Sequence, residues 1–118
     1  MASVAEDAEL RVRTLIALTE ELTAIFVREN ALLAAGQMHE IAPMQEDKAR
    51  LAAAYCGAIR EVATDRAVLD GAGEALLDQL RTTTADFERR AAEQHALLRG
   101  DRSGSPGLRL VAGDDLGR

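Results

Sequence analysis

The stretch MQEDKARLAAAYCGAIREVATDRAVL, residues 44–69, decides the fold. In it Met44, Lys48, Leu51, Tyr55, Ala58, Val62, Asp65 and Leu69 recur at steps of three and four. That spacing places side chains on one face of an α-helix. Lys48 stands inside this apolar stripe and is the one lysine of the chain, beside thirteen arginines. An earlier stripe has the same step: Leu15, Leu18, Leu22, Ile25, Glu29, Leu32. It holds one charged member, Glu29. Gly36 to Pro43 lies between the two and reads as a turn.

Folding the chain back at that turn brings Glu29 level with Lys48. The same fold pairs Leu32 with Met44, Ile25 with Leu51, Leu22 with Tyr55 and Leu15 with Val62. The two stripes therefore specify an antiparallel helical hairpin whose register a single charge pair fixes.

The first helix is expected over about 5–35. Ser3 is its N-cap candidate, with Glu6 three residues on completing a capping box. Gly36 suits the left-handed position after the helix. Pro43 suits the first turn of the second helix, where its missing N–H is not needed. Residues 38–42 read either as an irregular turn or as a preliminary helical turn. The second helix is expected over 43–69 and ends at Asp70-Gly71-Ala72-Gly73. The third is expected over 74–99, with the stripe Leu77, Leu80, Thr84, Phe87, Ala91, Gln94, Leu98.

Folding at 70–73 sets Val62 opposite Leu80, Tyr55 opposite Phe87, Leu51 opposite Ala91 and Met44 opposite Leu98. Lys48 falls opposite Gln94. Two separate hairpins thus converge on one polar register layer, Glu29, Lys48 and Gln94. The predicted fold class is all-α: an antiparallel three-helix up-down-up bundle over residues 1–99, packed near a 20° crossing angle. Residues 100–118, GDRSGSPGLRLVAGDDLGR, are rich in Gly, Ser and Asp and read as a disordered tail. The tail holds one apolar island, Leu108, Leu110 and Val111.

Composition narrows the function. Hydrophobic residues are 47% of the chain but aromatics only 3%, with no tryptophan, so alanine and leucine must supply the core. The formal charge of −6 argues against nucleic acid, whose affinity comes from clustered Lys and Arg. No apolar run approaches membrane-spanning length, and no signal peptide is evident, so membrane insertion is not expected and the cytoplasm is the default location.

The lone Cys56 excludes an internal disulfide and reads as a small, partly buried apolar side chain. His39 and His95 lack the Glu-x-x-His spacing of a di-iron site and read as surface histidines, so no metal or cofactor is expected. The serines at 3, 103 and 105 do not suit a triad. Arg81, Arg89, Arg90 and Arg99 give the third helix a basic edge, read as a solvated face. A helical enzyme for a dicarboxylate would need several inward cations, and the stripes offer only Lys48. The expectation is that the protein is not an enzyme.

Residues Leu22 to Leu51 resemble the FlgN-like flagellar export chaperones. Glu29, Leu32-Leu33, Gly36-Gln37, Ile41, Met44, Lys48 and Leu51 carry the resemblance, which extends in outline over residues 10–99. It implies a cytoplasmic helical chaperone of flagellar type III secretion. Such proteins bind hook–filament junction (hook-associated) proteins before export and help deliver them to the export gate. The family's substrate binding is attributed to the C-terminal helical region. Here that implies Leu76, Phe87, Leu97, Leu108, Leu110 and Val111 as client-binding candidates. A client's amphipathic helix would lie in a groove of the bundle. Leu33, Leu76 and Leu97 sit beside the stripes, where they either line such a groove or widen the core face. The alternative is a self-associating coiled-coil structural or adaptor protein, with a homodimer as its partner state.

Overall fold

The computed structural model describes residues 3–100. The expected tail island Leu108, Leu110 and Val111 lies outside the described residues. Every regular element described is helical. The order is α1 (Val4–Ala34), two short 3₁₀ turns (Met38–Glu40 and Ala42–Met44), α2 (Gln45–Thr64), α3 (Arg66–Ala72) and α4 (Glu74–Leu98). None of these helices is long and apolar enough to cross a membrane.

The ends of α1 are set by local chemistry. The Ser3 hydroxyl accepts from the Glu6 N–H at 3.0 Å, and the Ser3 N–H donates to the Glu6 carboxylate at 2.9 Å. This reciprocal box satisfies two N–H groups that the helix leaves free. At the other end Gly36 has φ +73°. Its N–H donates to Leu33 O at 3.1 Å, and that of Gln37 donates to Leu32 O at 2.9 Å. This is a Schellman termination, for which glycine is the favoured residue. Residues 38–44 then form consecutive 3₁₀ turns, with Pro43 inside the second.

The expected second helix is corrected: the described residues form four α-helices, not three. Continuous helix from 43 to 69 is interrupted at Asp65, which is extended (φ −133°, ψ 96°). Its carboxylate accepts from the Ala67 N–H at 3.1 Å, so Asp65 caps α3 rather than joining the stripe of α2. The expected break at 70–73 narrows to Gly73, at φ +91°. Gly71 lies within α3, where it lets that helix approach α1. A Cβ built on Gly71 would stand 3.0 Å from Ala8 Cβ.

The central element is α1. It buries Ala8, Val12, Leu15, Ile16, Thr19, Leu22, Thr23, Glu29 and Asn30, and α2, α3 and α4 all pack on it. Ala8, Val12, Leu15 and Ile16 form the core with Val62, Val68, Ala72 and Leu76. Thr19 and Thr23 are tolerated there because each hydroxyl donates to the carbonyl four residues back, both at 2.7 Å.

Residue numbers rise along α1 as they fall along α2. Val12 and Leu15 share the core with Val62, while Glu29 meets Lys48. They rise together along α1 and α4, with Ile16 beside Leu76 and Asn30 bonded to Arg90. The backbones of α2 and α4 do not pack directly on each other. Those two helices meet through long side chains instead.

Candidate functional site

Glu29 lies on α1 five residues before its end, and Lys48 lies in the first turn of α2. The intervening turn brings them together: Lys48 Nζ donates to Glu29 Oε1 at 2.9 Å. From α4, Gln94 Nε2 donates to the same oxygen at 2.8 Å, and Lys48 Nζ donates to Gln94 Oε1 at 3.3 Å. The three residues picked from the sequence as one layer are thus mutually bonded across three helices.

Sequence reasoning missed two further members. Gln45 Nε2 donates to Glu29 Oε2 at 2.6 Å. Asn30, buried on α1, accepts from Gln94 Nε2 at 3.2 Å and donates to the Arg90 backbone carbonyl at 3.1 Å. Phe26 was also missed; Lys48 Nζ stands 4.6 Å from its ring centroid, a cation–π contact.

Glu29 is only 1% exposed. Burial pushes its carboxyl up, but the hydrogen bonds from Lys48, Gln94 and Gln45, with the Lys48 charge, outweigh that and hold it below the usual carboxylate range. A carboxylate receiving three donors and facing an ammonium stays ionised. The Lys48 ammonium is equally occupied by Glu29, Gln94 and the Phe26 face.

Next to this layer the three aromatic residues of the chain cluster. Phe26 and Phe87 stack with centroids 5.3 Å apart, and Tyr55 meets Phe87 at 5.5 Å. The Tyr55–Phe87 and Lys48–Gln94 pairs are two of the five expected from folding at the second turn. Leu51, Tyr55 and Ala58 on α2, and Leu80, Phe87 and Ala91 on α4, are only half-buried. Fully buried residues number one on each helix: Val62 on α2 and Leu76 on α4.

The client-binding candidates separate. Leu76 is corrected: it is 8% exposed and belongs to the core against α1, so it widens the core face and lines no open groove. Phe87 joins the aromatic cluster, and Leu97 is half-buried. Leu108, Leu110 and Val111 fall outside the described residues. Cys56, expected partly buried, is exposed because it sits one position off the stripe of α2.

The basic edge of α4 is neutralised within the helix. Arg81 pairs with Asp78, Arg89 with Asp86, and Arg90 with Glu93 at 3.3 Å. His39 and His95 are both exposed. Among the described residues, no three His, Cys, Asp or Glu side chains gather where they would hold a metal ion. A cleft of about 200 Å³ opens at the pole beside the polar layer, between Leu33, Met38, Ile41 and Leu98.

No protein-family model matches this chain, and no curated protein or solved structure matches it.

Proposed function

We propose that this protein is a non-enzymatic export chaperone of the FlgN-like kind. It holds hook–filament junction proteins in the cytoplasm before flagellar type III secretion and carries them toward the export gate. One observation carries the reading: α2 and α4 both pack on α1, while their backbones stand apart and they meet only through side chains such as Tyr55 and Phe87. The apolar side chains along that seam, Leu51, Tyr55, Leu80 and Phe87 among them, stay half-buried. In this reading α1, α2 and α4 form an up-down-up frame, and an amphipathic client helix supplies a fourth element that completes the burial. The polar layer keeps the frame in one register before the client binds. Its internally satisfied bonds support a structural rather than catalytic role for Glu29 and Lys48.

The test is the solution mass of the chain, measured by light scattering alone and mixed with a hook–filament junction protein. The chaperone reading predicts a mixed complex of fixed stoichiometry. A homodimer that ignores the added protein would favour the coiled-coil reading instead.

A further inference from the structure

We propose that the cleft at the 36–44 turn is a docking site for this chain's own C-terminal segment, with Leu108 and Leu110 as the side chains that enter it. The proposal does not rest on the chaperone reading.

The cleft has about 200 Å³ and is walled by Leu33, Met38, Ile41 and Leu98, above Glu29 and Lys48. Met38 and Leu98 are 60% and 61% exposed, among the most exposed large apolar residues described. The polar floor is already bonded within itself, so the site calls for an apolar occupant, not a charged one. Its size exceeds the roughly 150 Å³ of a cavity that accepts benzene, which suits branched aliphatic side chains.

Chain connectivity selects the occupant. Leu98, the last residue of α4, is itself part of the wall. Gly100, at φ +84°, ends the described residues two positions past that wall, and residues 101–118 follow it in the sequence. Their apolar residues concentrate at Leu108, Leu110 and Val111, and Leu108 is eight positions past Gly100. Eight extended residues reach at most about 29 Å, ample for a return to a wall two residues before the starting point. The connection, DRSGSPG, has the Gly and Ser content of a linker. A tethered segment acts at an effective concentration in the millimolar range, which a second copy or a foreign helix must match from solution. In an extended segment Leu108 and Leu110 share one side and Arg109 takes the other.

The test uses the full chain with methyl-labelled Met, Ile, Leu and Val. Leu108→Asp/Leu110→Asp is compared with the parent; both changes lie outside the helical core. The Met38 and Ile41 methyl resonances are expected to move while those of Val12 and Val62 stay fixed, identically at tenfold dilution. A spin label at position 112, placed by Ala112→Cys with Cys56→Ser, is expected to broaden Met38 and Ile41 but not Val12. Met38 and Ile41 resonances unchanged between parent and variant would overturn the proposal. So would changes that fade on dilution, since they assign the cleft to a second copy.

Discussion

Lys48 Nζ lies 2.9 Å from Glu29 Oε1, joining the start of α2 to the last turns of α1 across the 36–44 turn. Glu29 is almost wholly enclosed, whereas the Lys48 side chain keeps 24% exposure. The two ends of the pair are therefore unequal, and their removal should have unequal effects. Desolvation offsets much of the attraction in any such pair. Its main contribution is the selection of one register: a slip of either helix strands a carboxylate among leucines.

Lys48→Met leaves the Glu29 carboxylate with only amide donors. The expected loss is about 2–3 kcal/mol, below the 3–5 kcal/mol typical when a fully buried pair is broken. Glu29→Leu should be milder, because Lys48 can turn to water. The double variant Glu29→Leu/Lys48→Met should recover about 1–3 kcal/mol relative to the sum of the singles. It should also show broadened or duplicated amide resonances from loosened helix order. Additive denaturation energies with one sharp set of resonances would remove the register role.

Acid should act through Glu29. Its folded-state pKa is depressed by its donors and by Lys48. The stability it contributes is present above its unfolded pKa, about 4.3, and is lost as pH falls through the lower folded value. Glu29→Gln should thus be less stable than the parent near neutrality, and the difference should shrink as pH falls below about 4. Denaturant unfolding of both proteins between neutral and acidic pH measures this. A difference that is constant or grows toward low pH contradicts the assignment.

Two glycines in helices should respond oppositely to alanine. Around Gly57 in α2 a new Cβ meets nothing within 4 Å. Gly57→Ala should stabilise by about 0.5–1 kcal/mol through helix propensity. At Gly71 the new Cβ would press on Ala8 at 3.0 Å, and that neighbour is fixed to its own backbone. Gly71→Ala should lower stability by about 1 kcal/mol despite the same propensity gain. Thermal unfolding of the two variants decides; equal gains would mean α3 does not sit tightly on α1.

Asp65→Ala removes the cap that starts α3 and should reduce stability by about 1 kcal/mol. Amide exchange in α3 should rise more than in α1 or α4. Unchanged exchange at Val68 and Leu69 would show that the cap does not hold α3 in place.

These sites differ in how far the sequence disclosed them. Glu29, Lys48 and Gln94 were legible because each is a polar residue at a helical step within a mostly apolar stripe, and the two turns set all three level. Asn30 was not, because α1 packs on α2 and α4 at once and so buries a second row beside the stripe. That row includes Thr19 and Thr23, whose hydroxyls are satisfied by their own helix and leave no apolar signal. Gln45 lies one position off the stripe, next to Met44, and reads as solvent-facing. Asp65 fitted the step of three and four, which hid its role as a cap; the Thr64-Asp65 pair ahead of a new apolar run was the available signal. Gly71 read as a breaker, although its lack of a Cβ serves close approach to Ala8 within a helix. The separation of α2 from α4 was not legible at all, because complementary stripes do not encode how far apart two helices stand.

The most direct test of the central claim is a methyl titration of the chain with the amphipathic terminal helix of a hook–filament junction protein. The account predicts that the Leu51 and Leu80 methyl resonances move saturably, while those of Val12 and Val68, buried in the core that joins α1 to α3, stay fixed. Unmoved Leu51 and Leu80 resonances at saturating peptide, or movement confined to surfaces away from α2 and α4, would contradict it.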